Sequence, residues 1–117
     1  MKRPLAYISA AWSGNEFHDT DRAVWYCRKV YEAGYSPICP LLFMPLFLDS
    51  SIPDEHKNGV DMSRDILRRA RVLVVCGRGT SEEVKTDIAT AARLGIAATT
   101  LDGILTIKSQ GQEKAND

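Results

Sequence analysis

The sequence predicts a small α/β domain of the flavodoxin- or Rossmann-like type, with a mainly parallel sheet of four or five strands. Short apolar runs alternate with segments of helical periodicity along residues 5–101, and this alternation is typical of a parallel sheet with helices on both faces. A chain of 117 residues has the length of one domain. We expect residues 1–108 to form that domain and the polar residues 109–117 to be a frayed tail.

The first half of the chain is expected to supply two strands and one helix. Residues 5–9 and 35–40 are the strand-like runs, and the prolines of the second run limit its pairing. Between them, apolar residues recur at helical spacing over about residues 19–33. Gly34 then provides the usual C-terminal stop. Residues 41–57 mix large apolar and turn-forming side chains, so we expect a loop with a helical turn, long enough to be functional.

The second half is expected to supply two helices and two strands. Residues 58–70 form the second helix, and residues 72–76 the third strand. A third helix runs over about residues 82–94 and ends at Gly95, and residues 96–101 complete the sheet. The expected inner face of the second helix consists of Val60, Ile66, Leu67 and Ala70.

Composition gives no sign of a nucleic-acid or membrane partner. Fifteen basic residues balance fifteen acidic ones, so no global charge attracts the chain to a polyanion, although Arg64, Arg68, Arg69 and Arg71 form a local cluster. The longest apolar run, residues 40–48, is interrupted by proline and is too short to span a bilayer. We therefore expect a cytoplasmic protein without a signal peptide.

The three cysteines and two histidines are not expected to bind a metal. Cys27, Cys39 and Cys76 are scattered and lie in or beside apolar segments, which is typical of reduced core thiols. His18 and His56 lack the spacing of metal ligands. No P-loop or complete dinucleotide fingerprint is present. We expect no cofactor.

The third strand, its loop and the third helix together suggest a nucleotide site. Ser81 stands where the helix begins, so it caps the helix, and the same N-terminus can hold a phosphate. Asp87 follows about 9 Å along the helix. By itself it is either a boundary residue paired with Arg78 or Lys85, or a carboxylate that acts on the sugar attached to such a phosphate.

Other candidate residues lie on the first strand and the second helix. Asp61 and Asp65 are four residues apart on one helix face, where they are either solvated or close to a ligand. Tyr7 and Trp12 flank the end of the first strand and are either core residues or a wall against which a base or sugar packs.

Three stretches of sequence share a pattern with one known family. Residues 7–14 form a strand that ends in a loop rich in small residues, and residues 33–40 read Ala-Gly-Tyr-Ser-Pro-Ile-Cys-Pro. Residues 81–95 place a carboxylate six residues after a serine and end in Ala-Ala-Arg-Leu-Gly. Over about residues 5–101 the chain resembles the nucleoside 2-deoxyribosyltransferase-like superfamily, including its deoxynucleoside-monophosphate N-glycosidase branch and its small bacterial and phage members.

The resemblance implies a carboxylate nucleophile and a sugar or phosphate cradle. Asp87 matches the catalytic glutamate, although it is one methylene shorter, and Ser81 matches a phosphate-contacting serine. A family aspartate on the preceding helix aids the leaving base; Ser63 occupies its position, and we assign that assistance to Asp61 or Asp65. Tyr7 completes the expected catalytic set. The implied cradle consists of Ala10, Ala11, Trp12, Ser13 and Gly14 together with Ser81.

The resemblance also implies an activity and an assembly. We expect a deoxyribonucleoside or deoxynucleoside 5′-monophosphate N-glycosidase or deoxyribosyltransferase that acts at C1′, by the logic of retaining glycosidases. A homodimer is expected, with residues 41–48 as a contact or lid. The alternative is a catalytically lapsed member that binds a nucleotide-derived ligand or a protein partner, for example as a phage-encoded inhibitor of a host system.

Overall fold

The computed structural model describes residues 2–11, 16–77 and 81–106, with the backbone alone for residues 16–18. It shows an α/β domain with a four-stranded, all-parallel sheet, as the sequence predicts. Residues 101–106 are also helical. The other elements, in chain order, are β1 (Leu5–Ala10), α1 (Glu16–Glu32), β2 (Ser36–Ile38), α2 (Pro53–Arg69), β3 (Val72–Cys76), α3 (Glu82–Leu94) and β4 (Ala97–Thr100).

The strand order is β2-β1-β3-β4, so the chain reverses its direction of travel across the sheet next to β1. From β1 it moves outward to β2, then crosses back to β3 and continues to β4. The strands β1 and β3 pair over five positions, from Ala6 opposite Val72 to Ala10 opposite Cys76. In open parallel sheets, ligands bind outside the carboxyl ends of the strands at such a switch point. A ligand site is therefore expected next to the carboxyl ends of β1 and β3.

Alternation along β1 divides its side chains between two apolar layers. Ala6 and Ile8 belong to a buried cluster that includes Val30 of α1. Tyr7 lies on the opposite face, in a second cluster with Leu67 of α2. That cluster also includes Leu73 of β3 and Ala91 of α3. The helices α2 and α3 therefore cover the face of the sheet that carries the odd-numbered residues of β1.

The largest difference from the sequence prediction is at the start of α2, whereas the bounds of β1, α1 and β2 differ from the predicted ones by at most three residues. The helix α2 begins at Pro53, five residues before the predicted start, because proline at the first helical turn and Asp54 and Glu55 beside it favour a helix N-terminus. The expected loop therefore ends at residue 52, and it holds two 3-10 turns, Pro40–Leu42 and Met44–Leu46, rather than one helical turn.

The predicted inner face of α2 is correct at its C-terminal end and wrong at Val60. Leu67 and Ala70 are buried, whereas Val60 is exposed. A 17-residue helix is about 25 Å long, and the five residues of β3 span about 17 Å. The helix therefore exceeds the strand by about 8 Å, the length of about five residues. This overhang does not reach Val60, and the difference in length does not explain its exposure.

The region from β3 to β4 agrees closely with the sequence prediction. The strand β3 and the helix α3 have the predicted bounds, and β4 is one residue shorter at each end. The helix α3 ends at Gly95, whose φ of 71° is the left-handed conformation that glycine adopts without strain. The predicted tail, residues 109–117, lies outside the described residues. Within the described parts, none of the helices is both long and apolar enough to cross a membrane.

Candidate functional site

A hydrogen bond between β1 and α3 lies at the centre of the candidate site. Ser9 is the second-last residue of β1 and is only 3% exposed. Its Oγ donates a hydrogen bond to Oδ2 of Asp87, 2.7 Å away. Asp87 lies in the second turn of α3 and is half-buried. The bond therefore fixes a carboxylate beside the carboxyl end of β1, next to the switch point of the sheet.

The environment of Asp87 makes its carboxylate poorly solvated. Burial raises the pKa of Asp87 above its ordinary value, and the negative charge of Glu83, one turn earlier, raises it further. The hydrogen bond from Ser9 favours the charged form and lowers the pKa in part. A partly desolvated carboxylate that is held in position can act as a nucleophile or a base.

The predicted ion pair between Asp87 and a basic residue is not found with Lys85. The Lys85 ammonium lies 3.6 Å from the Glu82 carboxylate instead. Arg78, the other predicted partner, lies outside the described residues. Within the described part of the chain, Asp87 has a hydroxyl partner and no salt bridge to a cation. Its charge is therefore not neutralised by those residues.

Tyr7 lies on the same face of β1 as Ser9 and is 5% exposed. Burial raises the pKa of Tyr7 strongly, the charge of Asp87 adds to the increase, and a hydrogen bond with Ser63 of α2 reduces it. The phenol therefore stays protonated and can donate a hydrogen bond. The structure places Tyr7 within electrostatic reach of Asp87, so the two predicted catalytic residues are brought together.

Asp61 and Asp65, the predicted assistants, are exposed on α2. Each is two residues from Ser63, and a separation of two residues is a rotation of about 160° around the helix axis. Because Ser63 faces Tyr7, the two aspartates point away from it. Asp65 forms an exposed pair with Arg68 at 3.8 Å. The structure therefore brings Ser63 to the site and leaves both carboxylates outside it.

The segment that follows β2 packs against α2 beside Ser63. Met44 is buried, and its sulfur accepts a hydrogen bond from Ser63 Oγ at 3.6 Å. The Leu48 side chain lies 3.5 Å from the position that a Cβ on Gly59 would occupy. The segment therefore forms a wall next to the Tyr7 hydroxyl. The neighbouring Leu46 and Phe47 are 83% and 59% exposed.

The expected sugar or phosphate cradle is described only in part. Ala10 and Ala11 line a small hollow together with Arg22 and Tyr26 of α1. Trp12, Ser13 and Gly14 lie outside the described residues. Ser81 caps α3 as predicted, because its Oγ accepts a hydrogen bond from the backbone N–H of Val84 at 3.3 Å.

The cysteines are buried or half-buried free thiols. Burial raises the pKa of Cys39 and that of Cys76 to about 12, and it also raises the pKa of Cys27. Thiols of this kind carry little thiolate at neutral pH and are poor nucleophiles. Within the described ranges, no three cysteine, histidine, aspartate or glutamate side chains are close enough together to hold a metal. His56 is exposed, and the side chain of His18 lies outside those ranges.

Ser9 and its bond to Asp87 were not identified from the sequence. The signal that could have found Ser9 is its place two residues after Tyr7 near the carboxyl end of β1, since alternate residues share a face. The sequence indicates Ser63 only as the residue at the position of the family aspartate.

Comparison with known proteins gives a family and no activity. No curated protein matches the chain. A family model described as a domain of unknown function, DUF7768, matches residues 4–101, which include β1, α3 and both partners of the Ser9–Asp87 bond. The chain therefore belongs to the DUF7768 family.

Proposed function

We propose that the protein is an N-glycosidase or deoxyribosyltransferase that cleaves the bond between C1′ and the base of a deoxyribonucleoside or its 5′-monophosphate. The observation that supports this most directly is the Asp87 carboxylate, which is partly desolvated, held by Ser9 and located at the switch point of a parallel sheet. The resemblance in residues 81–95 assigns the nucleophile to the same side chain.

In the proposed reaction, a lone pair of the free Asp87 oxygen forms a bond to C1′. The C1′–N bond breaks, its electron pair stays on the base, and the base nitrogen takes a proton. Water then gives its hydroxyl to C1′ and releases a proton, and the bond to Asp87 breaks to restore the carboxylate. In a transfer reaction, a second base attacks C1′ in place of water. The sequence of two displacements is that of retaining glycosidases.

The neighbouring groups support these steps in different ways. The Ser9 hydroxyl occupies one carboxylate oxygen at 2.7 Å, so the other oxygen is the one left to attack. The Tyr7 hydroxyl stays protonated, and Ser63 lies close enough to affect its pKa. Tyr7 is therefore a hydrogen-bond donor for the substrate or for the carboxylate. The wall that contains Met44 limits the water around this group.

The location of the phosphate and the assembly belong to the same proposal. A 5′-phosphate would bind at the N-terminus of α3, where backbone N–H groups and the helix dipole favour an anion. We also propose a homodimer, which would cover the exposed Leu46 and Phe47. Free cysteines fit a reducing compartment, and we propose the cytoplasm.

The test is incubation of the purified protein with each deoxynucleoside and each 5′-monophosphate, with chromatography for free base. Asp87→Asn removes the nucleophile and keeps its volume, and the matched control, Asp61→Asn, removes an exposed carboxylate. We expect base release from wild type and from Asp61→Asn, and a loss of about 10³-fold or more in Asp87→Asn. Mass spectrometry of the acid-quenched enzyme should find a deoxyribosyl adduct that Asp87→Asn lacks.

A second candidate function is a binding module without turnover, favoured by the exposed apolar side chains of Leu46 and Phe47. If no substrate releases base, while the protein is folded by circular dichroism, the glycosidase proposal is wrong. Binding of a nucleotide or a protein partner that persists in Asp87→Asn would then identify the module. If Asp87→Asn instead releases base as fast as Asp61→Asn, the assignment of Asp87 as the nucleophile is wrong.

A further inference from the structure

An open cleft of about 370 Å³ lies at the amino ends of β1 and β3, on the edge of the sheet opposite Asp87. Its size falls within the range of small-molecule sites, about 300–1,000 Å³. Seven residues line it: Lys2, Arg3, Pro4, Leu5, Arg69, Ala70 and Arg71. Four of the seven are cations and none is acidic, so the cleft is a local concentration of positive charge in a chain with no net charge.

The guanidinium groups of Arg3 and Arg69 are held by hydrogen bonds to protein carbonyl groups, and Arg71 is held through its backbone. Arg3 donates to the carbonyl oxygens of Tyr35 and Tyr31, at 2.6 and 3.1 Å, and its guanidinium lies over the Tyr31 ring. Arg69 donates through Nη1 to the carbonyl oxygen of Asp65 at 3.0 Å. The backbone N–H of Arg71 is bonded to the Leu5 carbonyl at 2.8 Å.

Within the described chain, the ion pairs involve none of Lys2, Arg3, Arg69 and Arg71. The nearest acidic residue along α2 is Asp65, one turn before Arg69, and its carboxylate pairs with Arg68 instead. The carbonyl end of α2 is close by, but the dipole of a helix contributes only about half a negative charge. Four full positive charges outweigh it. The cations therefore repel one another, and a bound anion would relieve that repulsion.

We propose that this cleft binds a compact phosphate chain, either inorganic or as the phosphate end of a small organic molecule. Two linked phosphates match the dense charge of four neighbouring cations better than one does, and guanidinium groups bind phosphate oxygens in a paired geometry. The limited volume and the neutral chain favour a small polyanion over a nucleic acid. The site is separate from the proposed glycosidase site and does not depend on it.

The test is calorimetric titration at low ionic strength with inorganic pyrophosphate, orthophosphate and a nucleoside diphosphate. The probe variant is Lys2→Gln/Arg71→Gln, because both side chains are exposed and neither forms an ion pair in the described chain. The matched control is Arg64→Gln, an exposed cation of α2 that does not line the cleft. Asp87→Asn and Ser81→Ala report on the opposite edge of the sheet.

We expect pyrophosphate to bind at least about tenfold more tightly than orthophosphate, and the double variant to lose about tenfold in affinity. Arg64→Gln, Asp87→Asn and Ser81→Ala should bind as wild type does. If the nucleoside diphosphate binds with the same affinity as pyrophosphate, the cleft recognises the phosphate chain alone. If the nucleoside diphosphate binds more tightly than pyrophosphate, the cleft also contacts the attached nucleoside. The proposal is overturned if pyrophosphate does not bind, or if the double variant binds it as tightly as wild type does. It is also overturned if Ser81→Ala alone loses pyrophosphate binding, or if an oligonucleotide binds in place of pyrophosphate.

Discussion

The bond between Ser9 and Asp87 is best tested by a double-mutant cycle. Ser9→Ala removes the donor, Asp87→Ala removes the acceptor, and the double variant removes both. The coupling free energy is the part of the loss that the single variants do not explain separately. It measures the bond itself, apart from the other effects of each substitution, and it does so without any assumption about the activity of the protein.

The expected coupling follows from the geometry of the bond. The donor is 3% exposed, the oxygen atoms are 2.7 Å apart, and the acceptor is a carboxylate. Hydrogen bonds to charged groups contribute about 1.5–3 kcal/mol. Because Asp87 is only half-buried, water screens part of the interaction, and we expect the lower end of that range, about 1.5 kcal/mol.

Ser9 lowers the pKa of Asp87, so its contribution is present when the carboxylate is charged. The coupling should therefore fall as the pH drops through the pKa of Asp87, which lies above the ordinary aspartate value. It should approach that of a neutral hydrogen bond, about 1 kcal/mol or less. The assay is urea unfolding of the four proteins at several pH values. A coupling below about 0.5 kcal/mol at neutral pH, or one that does not change with pH, would refute the reasoning.

Three further predictions concern the fold around this site. In thermal unfolding, Gly95→Ala should cost about 1 kcal/mol and Gly77→Ala should cost more. Both glycines have a positive φ, but only at position 77 would an added Cβ lie 3.0 Å from the Tyr26 hydroxyl. Equal losses in the two variants would contradict this prediction. Leu67→Ala should cost about 2–5 kcal/mol in urea unfolding because the side chain is 1% exposed, and a loss below 1 kcal/mol would mean that α2 does not pack as described. Asp87→Asn should stabilise the protein at neutral pH, and the gain should vanish in acid, as measured by urea unfolding across that pH range. Burial raises the folded-state pKa of Asp87 above that of the unfolded chain, so the wild type loses stability as the pH rises through the interval between the two values.

The elements that the sequence predicted well are those whose ends are marked by residues close by in the chain. The helix α3 has a serine cap at its start and a glycine in the left-handed conformation after its end, and both act through neighbouring backbone groups. The start of α2 has a local signal too, in Pro53, Asp54 and Glu55. The sequence prediction places the start later because residues 53–57 lack the apolar periodicity of a buried face.

The parts of the site that the sequence did not predict depend on contacts between distant residues. Ser9 and Asp87 are 78 positions apart, and only the sheet and the packing of α3 on it bring them together. The contact between Ser63 and Tyr7 depends likewise on how α2 lies across β1. A candidate carboxylate could therefore be predicted from its own helix, whereas its hydrogen-bond partner could not.

The energetics of Asp87 bear on why the chain has a carboxylate there. The helix α3 needs no charge at this position, and asparagine has nearly the same volume and can accept the bond from Ser9. Burial and Glu83 disfavour the charged form, so the folded state is less stable with aspartate than it would be with asparagine at neutral pH. Groups that lower stability in this way are characteristic of functional sites, where activity needs a feature that the fold does not. If Asp87→Asn instead destabilises the protein at neutral pH, Asp87 is a structural residue, and the argument for a nucleophile loses its physical basis. If the variant is more stable and inactive, the charge is present for chemistry.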